Sequence, residues 1–407
     1  MVDIKPFRGT RPYGEKAENL IVPSTDYLTE EKKLDLFEKN YWNYLKILNP
    51  VGQTKEKDSL KIAKDHFKEM KINNIIKKDI IPQYYIYRIK TDHHAQIGFM
   101  AIADINKFLI NKCIRGHELT YSQRTNERAE QMLNINTQIG PIYATYSDDN
   151  EIDDYLFQLT LTTPQYDFLA FDKSKHTLWC INDEFDIETL SRLIKKIKCL
   201  YIADGHHRMA AMRIISDNKE INKSSNSEYS YFMFAAFPAS KSKIYDYNRV
   251  IKSLNGLSFN DFLSRIKINF EINESENKIR PMSKRNFGMY FNKKWYSLRF
   301  KNENLLKESI ISKLDINIID EFCFKPILGI KDANTDDNIR FIAGSHGLEA
   351  LEKKVDENNG SIAFSIFPTN INDVIEVADN NLTMPPKSTW FDPKPLDGLV
   401  VYEFEKK

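Results

Sequence analysis

The residues best suited to chemistry lie in segment 200–215, LYIADGHHRMAAMRII. This segment reads as a short strand ending at Asp204, a turn at Gly205 and a helix with one apolar face. Asp204 is placed to cap that helix. The first turn of the helix carries three basic residues, His206, His207 and Arg208. Backbone N–H groups, imidazoles and a guanidinium at a helix N-terminus suit a phosphate group. The alternative is that Asp204 only caps the helix and the basic side chains are solvated.

The paired histidines do not indicate a zinc site. His206 and His207 are adjacent, so they point to different sides of a helix and cannot share one metal ion without strain. His117 and Glu118 do not begin an HExxH motif, because the sequence continues Leu-Thr-Tyr at 119–121. The sequence also has no GxxxxGK[ST] loop and no GxGxxG after a strand, so neither a P-loop enzyme nor a dinucleotide fold is supported.

Two other segments carry polar residues that suit substrate binding. The first is GHELT, whose polar residues are His117, Glu118 and Thr120. Taken alone, Glu118 is better explained by a helix cap or a surface charge. In the second, TMPPKSTWFDPKPLDG at 383–398, prolines fix the backbone around Lys387, Ser388 and Thr389. Hydroxyls and an ammonium on a rigid loop suit a phosphate or a small zwitterion, and a surface turn is the alternative.

Together these segments resemble a single family. GHELT, ADGHHR and PPKSTWFDPKP, in this order, are similar to the free L-serine kinases and to their long relatives once catalogued as a domain of unknown function. The start IKPFRG and the strand GPIYATYSD fit the same order, whereas residues 240–340 match nothing in that family. The resemblance implies a mixed α+β fold with a ParB/sulfiredoxin-like catalytic lobe and a second mixed lobe.

The resemblance also implies roles for the polar residues. Glu118 is then the base near the hydroxyl of L-serine, and Asp204 is the second catalytic residue and holds Mg²⁺. The phosphoryl donor is held by Gly205, His206, His207 and Arg208. The substrate is bound by His117, Thr120, Lys387, Ser388 and Thr389. The donor is pyrophosphate as first choice, or ATP or ADP, and the product O-phospho-L-serine feeds serine and cysteine metabolism.

Alternating helices and strands must position these residues. Residues 26–90 predict two amphipathic helices followed by a strand at 84–90. That strand is expected to pair with 96–105 as a hairpin. A further strand is predicted at 155–163, and the apolar run 231–239 predicts a buried strand that opens the second half.

The domain boundary is predicted from a change in composition. Residues 217–230 are uniformly polar and have no periodicity, which is typical of a loop or linker. We therefore predict a catalytic lobe with an N-terminal extension at 1–220 and a second lobe at 221–407. The C-terminal loop of the second lobe, 383–398, is expected to close on the active site.

Composition limits the class of protein. The 407 residues include 58 Lys and Arg against 57 Asp and Glu, a formal charge of +1 that offers no field for nucleic acid. The apolar run 231–239 is far shorter than the roughly 20 residues of a membrane helix, and the start has no leader pattern. Four cysteines without a CxxC pair argue against a disulfide framework. We expect a cytoplasmic protein with no membrane and no nucleic-acid partner.

Two other function classes stay open. ParB-like folds also bind CTP and DNA, so a nucleotide-dependent DNA-binding or switch protein is the alternative to a kinase. The neutral net charge and the lack of a helix-turn-helix with a basic surface weigh against it. A sulfiredoxin-like reductase needs a cysteine near the phosphate-binding turn, and Cys199 lies five residues before Asp204, inside the predicted strand.

Overall fold

The computed structural model describes residues 3–13, 17–23, 28, 30–49, 56–110, 112–218 and 228–404. The chain forms two compact units, Met1–Ser242 together with Pro393–Lys407, and Lys243–Asp392. Most of the linker predicted at 217–230 lies outside the described residues. Within the described ranges, no helix is both long enough and apolar enough to cross a membrane.

The first unit is a mixed α+β structure, as predicted. Numbered in chain order, its described strands are β1 Ile4–Lys5, β2 Thr10–Pro12, β3 Ile76–Lys78, β4 Tyr84–Lys90, β5 Ala95–Asp104, β6 Ile114–Arg115, β7 Thr137–Gln138, β8 Ile142–Tyr146, β9 Tyr166–Leu169, β10 Lys175–Ile181, β11 Leu200–Asp204, β12 Tyr231–Pro238 and β21 Tyr402–Glu403. Its described helices are α1 Ala17–Leu20, α2 Glu30–Lys39, α3 Leu45–Leu48, α4 Glu56–Ile72, α5 Ile105–Ile110, α6 Ser122–Ile135, α7 Asn150–Leu159, α8 Glu184–Ile194 and α9 His206–Asp217.

The main sheet of this unit has the strand order β6-β11-β8-β12-β5-β4-β10-β9, and β1 also pairs with β5. The pairs β6–β11 and β8–β12 are parallel, and the other neighbours are antiparallel. Strands β4 and β5 form the predicted hairpin. The central strands are almost wholly buried, which matches their nearly continuous apolar sequence.

The predicted boundary at 220/221 is earlier than the division in the structure. The apolar strand expected to open the second lobe is β12, and it lies between β8 and β5 in the first sheet. The division therefore comes after this strand, at Ser242. The chain returns to the first unit at Pro393, so part of the predicted C-terminal loop 383–398 belongs to that unit.

The strand predicted at 155–163 is wrong, because most of that segment belongs to helix α7. The Asp149 carboxylate caps this helix by accepting hydrogen bonds from the backbone N–H groups of Glu151 and Ile152. Ile152, Leu156 and Leu159 are buried on one face. Their spacing is that of a helix. A strand was predicted because the apolar and β-branched residues of YLFQLTLTT favour strands.

The second unit is also mixed α+β. Its described strands are β13 Ile244–Tyr245, β14 Tyr247–Ile251, β15 Phe270–Ser275, β16 Asn286–Phe291, β17 Lys294–Phe300, β18 Ile339–Ala343, β19 Ile362–Ile366 and β20 Trp390–Phe391, and its described helices are α10 Phe259–Ile266, α11 Asp315–Ile319, α12 Glu349–Asp356 and α13 Ile371–Asp379. Six strands form an antiparallel sheet in the order β15-β17-β16-β19-β14-β18. Residues 240–340, which matched nothing in the resemblance, supply most of this sheet.

The buried side chain of Gln138 forms hydrogen bonds to backbone groups near the start of β8. The Gln138 side chain donates hydrogen bonds to the carbonyls of Met233 and Gly140, at 2.7 and 3.0 Å. It also accepts one from the backbone N–H of Met233, at 2.8 Å. Gln138 is fully buried, so these backbone groups have no access to water as a replacement partner.

We predict that Gln138→Leu destabilises the protein by about 3 kcal/mol, because it leaves several buried polar groups unsatisfied. Urea unfolding followed by circular dichroism measures the effect. The matched control is Gln123→Leu at an exposed position of helix α6, where the side chain donates a hydrogen bond to Glu127. Equal unfolding midpoints for the two variants would contradict the prediction.

Candidate functional site

The turn after β11 places the DGHHR segment at the start of helix α9. Gly205 is the residue before the helix, and its φ of 95° is a left-handed conformation that favours glycine. The prediction that Asp204 caps the helix is wrong, because the cap position belongs to Gly205. The Asp204 side chain instead bonds to Lys394, as described below.

The parallel pairing of β6 with β11 brings the two motif segments together. Leu200 pairs with Ile114 and Tyr201 with Arg115. Because parallel strands run in the same direction, GHELT after β6 and DGHHR after β11 leave the sheet at the same end. Glu118 and His206 consequently meet, with 3.4 Å between Glu118 Oε2 and His206 Nδ1.

His206 is a neutral, oriented imidazole. It is buried, and burial lowers its pKa to about 4. The backbone N–H of His117 donates a hydrogen bond to His206 Nε2 at 3.2 Å. In the neutral ring the proton is therefore on Nδ1, the atom that faces the Glu118 carboxylate. The contact with Glu118 is thus dipolar and not an ion pair, and it orients a carboxylate that is 41% exposed.

Two predicted ligand-binding histidines have internal positions. His206 was predicted to hold phosphate, yet its ring faces His117 and Glu118. His117 was predicted to bind substrate, but it is 1% exposed and packs edge-on against His206, with ring centroids 4.7 Å apart. Burial lowers the pKa of His117 to about 3. Both rings thus contact Glu118 or each other, and their roles toward a ligand stay predictions.

His207 points to another side of α9, as expected for adjacent helical residues. Its Nδ1 lies 3.3 Å from the hydroxyl of Thr125 on α6. Its ring stacks on Tyr121 at 6.0 Å between centroids. His207 is half-buried, and Thr120, the neighbour of Tyr121, is exposed. Among the described residues, no group of three His, Cys, Asp or Glu is arranged to hold a metal ion.

Asp204 forms a shielded ion pair with Lys394, a residue that the sequence analysis did not nominate. Lys394 Nζ lies 2.7 Å from Asp204 Oδ1, and only 8% of the Lys394 side chain is exposed. Burial tends to raise the pKa of Asp204, but the charges of Lys394 and Arg208 outweigh it and hold the pKa below its ordinary value. Asp204 is therefore ionised at neutral pH.

Arg208 links three segments of the first unit. Its Nη1 donates hydrogen bonds to the carbonyl of Pro141 at 2.8 Å and to Asp397 Oδ1 at 3.0 Å. Its Nη2 lies 3.7 Å from Asp204 Oδ2. A Cβ added to Gly140 would lie 1.9 Å from Asp397 Oδ1 and 2.1 Å from Arg208 Nη1, so a larger residue there would displace this ion pair. The Nη1 atom of Arg208 therefore has a structural role, because it joins helix α9 to Pro141 and Asp397.

The C-terminal segment that carries Lys394 and Asp397 is fixed by buried side chains of the sheet. Gln96 donates a hydrogen bond to the carbonyl of Pro393 at 3.0 Å. The Tyr87 hydroxyl accepts one from the backbone N–H of Leu396 at 3.3 Å. Both residues belong to the segment PKPLDG at 393–398, but neither a lysine between two prolines nor an aspartate before a glycine indicates a partner far away in the sequence.

The predicted substrate residues Lys387, Ser388 and Thr389 belong to the second unit. Lys387 has a φ of 54°, and its carbonyl accepts a hydrogen bond from the fully buried Arg249 at 2.9 Å. The Ser388 hydroxyl donates to the carbonyl of Pro385 at 2.6 Å. Burial lowers the pKa of Arg249 to about 10. The loop is well ordered by its own unit, and its role toward substrate stays a prediction.

Comparisons with known proteins give the following matches. A family model described as "Protein of unknown function (DUF1015)" matches residues 4–317, so most of the segment 240–340, for which no match was expected, lies within it. A mutant free serine kinase in complex with AMP is 12% identical, covers 71% of this chain and 90% of its own, and has a TM-score of 0.35. SbnI with a C-terminal truncation, from Staphylococcus aureus, is 8% identical, with coverages of 72% and 82% and a TM-score of 0.38. No curated protein matches the sequence.

The buried histidines predict a loss of stability in acid. Burial lowers the pKa of His206 to about 4, whereas an unfolded histidine titrates near 6.5. As the pH falls below about 6.5, the histidine of the unfolded chain binds a proton while folded His206 stays neutral. The free energy of unfolding therefore decreases between about pH 6.5 and the folded pKa near 4. Between pH 7.5 and 5.5, His206 should account for a loss on the order of 1 kcal/mol.

We therefore expect the drop in unfolding free energy between pH 7.5 and 5.5 to be smaller in His206→Asn than in the unmodified protein. Urea unfolding at the two pH values measures it. His93→Asn, at an exposed position, is the control and should leave the drop unchanged. The prediction is wrong if His206→Asn shows the full drop.

Proposed function

This chain belongs to the DUF1015 family, and we propose that it is a free L-serine kinase that transfers a phosphoryl group to the serine hydroxyl. The observation that carries the proposal is the meeting of two motif segments in the first unit. Glu118 lies 3.4 Å from His206, and the same turn presents Asp204 and Arg208 at the start of helix α9. A carboxylate thus lies beside a helix N-terminus that suits a phosphate.

Phosphoryl transfer needs alignment, charge neutralisation and a base for the attacking hydroxyl. In the proposed reaction, the serine oxygen attacks the terminal phosphorus of the donor and its proton passes to Glu118. The bond from that phosphorus to the bridging oxygen breaks, so phosphate leaves from pyrophosphate, ADP from ATP, or AMP from ADP. The partly exposed Glu118 carboxylate is accessible to a small substrate. Neutral His206 orients it without adding a charge that would weaken it as a base.

The charges around the turn explain why we include magnesium in the proposal. Arg208 and Lys394 are paired with Asp397 and Asp204, so the two positive and two negative charges balance. A polyanionic donor therefore needs additional positive charge. Mg²⁺ commonly binds through one carboxylate together with substrate phosphates, and ionised Asp204 is the residue that would hold it. Bound there, it would neutralise charge on the donor oxygens.

The donor and the fold type are further parts of the proposal. Pyrophosphate is our first choice of donor, on the resemblance to the long members of the family, and ATP and ADP are the alternatives. The product is then O-phospho-L-serine, an intermediate suited to serine and cysteine metabolism. We also keep the ParB/sulfiredoxin-like assignment of the catalytic lobe as part of this hypothesis, and with it the alternative of a CTP-dependent DNA-binding protein.

We predict that the protein with Mg²⁺ converts L-serine to phosphoserine with at least one of pyrophosphate, ATP or ADP. Glu118→Gln should lower kcat by roughly 10²-fold or more while leaving donor binding largely intact, because it removes only the base. Asp204→Asn should also shift the magnesium dependence. Phosphorus NMR follows the product, and calorimetry measures donor binding.

The matched control is Glu130→Gln, on the exposed face of α6, which should keep full activity. Absence of phosphoserine with all three donors would rule out the kinase. Binding of CTP or DNA by the same preparation would favour the alternative. Near-normal turnover in Glu118→Gln, with loss in Asp204→Asn at unchanged magnesium binding, would reverse the two roles.

Lys394 gives a separate prediction, since it is the nearest cation to Asp204. We expect Lys394→Met to raise the magnesium concentration or the donor KM needed for half-maximal rate by about tenfold, because the Asp204 carboxylate loses a charge-assisted bond and its orientation. Lys198→Met, at an exposed position, serves as the control. Unchanged kinetics in Lys394→Met would show that the pair only holds the C-terminal segment.

A further inference from the structure

Two cysteines that are far apart in the sequence become neighbours at the edge of the first sheet. Ile114 pairs with Leu200 in the parallel register of β6 and β11. The backbone N–H of Leu200 donates a hydrogen bond to the carbonyl of Cys113 at 2.7 Å. Extended by one residue, this register places Cys113 opposite Cys199. Both residues carry thiols.

The register gives a spacing compatible with a disulfide. Paired residues on neighbouring strands are about 4.8 Å apart, and the Cα atoms of a disulfide are usually roughly 4.4 to 6.8 Å apart. Residues opposite one another in a parallel pair project to the same face of the sheet. Strand β6 is two residues long and lies at the sheet edge, so Cys113 can make the small movement that bond formation requires.

The other two cysteines differ from this pair in position. Cys180 lies opposite Tyr85 in the ladder of β10 and β4, and Cys323 is buried in the second unit. Cys113, Cys199 and Cys180 are all half-buried, so the pair differs from Cys180 in its strand register and not in its exposure. Exposed Lys112 and Lys198 precede them directly, and these charges favour the approach of an anionic oxidant.

We propose that Cys113 and Cys199 are a reversible redox modification site that reacts with anionic low-molecular-weight disulfides such as glutathione disulfide. One cysteine thiolate attacks the glutathione disulfide and releases one glutathione thiol, leaving a mixed disulfide. The second cysteine thiolate then attacks the protein sulfur of that mixed disulfide and releases the second glutathione thiol. The protein loses two protons and two electrons, and one glutathione disulfide becomes two thiols.

The resulting bond would join β6 to β11 at the end opposite the motif segments. Glu118 follows β6 and Asp204 ends β11, so the two strands that carry these carboxylates could no longer separate. Strand β6 is the edge strand of the sheet, and its one neighbour in the strand order is β11. Short edge strands are among the first to separate from a sheet. This inference rests on the strand register and is independent of the proposed kinase activity.

The test is peptide mass spectrometry of the full-length protein after incubation with glutathione disulfide and alkylation of remaining thiols. We expect a cross-linked peptide pair containing Cys113 and Cys199, about 2 Da lighter than the two thiol peptides together, that disappears on treatment with dithiothreitol. Cys180→Ser should still form it, whereas Cys113→Ser and Cys199→Ser should stop at the glutathione adduct. Alkylation of both cysteines as thiols, or equal cross-linking to Cys180, would overturn the proposal.

Amide hydrogen exchange provides a second measurement on the same samples. In the oxidised protein, the peptide covering 114–118 should exchange at least about tenfold more slowly than in the reduced protein, because the edge strand can no longer open. The Cys113→Ser variant, treated with glutathione disulfide in the same way, should show no slowing. Equal exchange rates in the oxidised and reduced protein would contradict the claim that the disulfide keeps β6 paired with β11.

Discussion

The parallel pairing of β6 with β11 is two residues long, and the geometry of the candidate site depends on it. It joins Leu200 to Ile114 and Tyr201 to Arg115 across a long stretch of intervening sequence. GHELT begins directly after this pairing and DGHHR begins three residues after it, so the distance between Glu118 and His206 is set by strand register and not by side-chain attraction. A shift of one residue would move each side chain to the other face of the sheet, and the contact would be lost.

Burial then determines the charge state of each group that this register brings together. His206 and His117 are neutral because removing an imidazolium from water costs more than the neighbouring carboxylates return. Asp204 is also withdrawn from bulk water, yet it stays ionised because Lys394 is 2.7 Å away. The turn is therefore close to electrically neutral before any ligand arrives. Binding of the proposed anionic donor would therefore have to come from oriented hydrogen-bond donors and from cations that arrive with it.

Local features of this site could be predicted from the sequence, whereas long-range ones could not. The strand, turn and helix of LYIADGHHR follow from a β-branched and apolar run, a glycine and a helical spacing, and the hairpin of β4 and β5 follows from two apolar runs around a polar turn. The inward rotation of His206 depends on a hydrogen bond from His117, which no spacing encodes. Lys394 and Asp397 were missed for the same reason, since their partners Asp204 and Arg208 are distant in the sequence. The misassigned segment at 155–163 shows the opposite case, in which local β propensity was overridden by the packing of one helix face.

The first and last strands of the second unit, β13 and β20, pair with each other. Ile244 pairs with Phe391 and Tyr245 with Trp390, and the backbone N–H of Asp392 donates to the carbonyl of Lys243. The unit Lys243–Asp392 is thus an insertion with closed ends, and the chain resumes at Pro393 close to where it left the first unit at Ser242. Lys394 is the second residue after the chain returns to the first unit. Because Gln96 and Tyr87 fix the backbone on either side of Lys394, the ion pair with Asp204 forms at little further cost in conformational entropy.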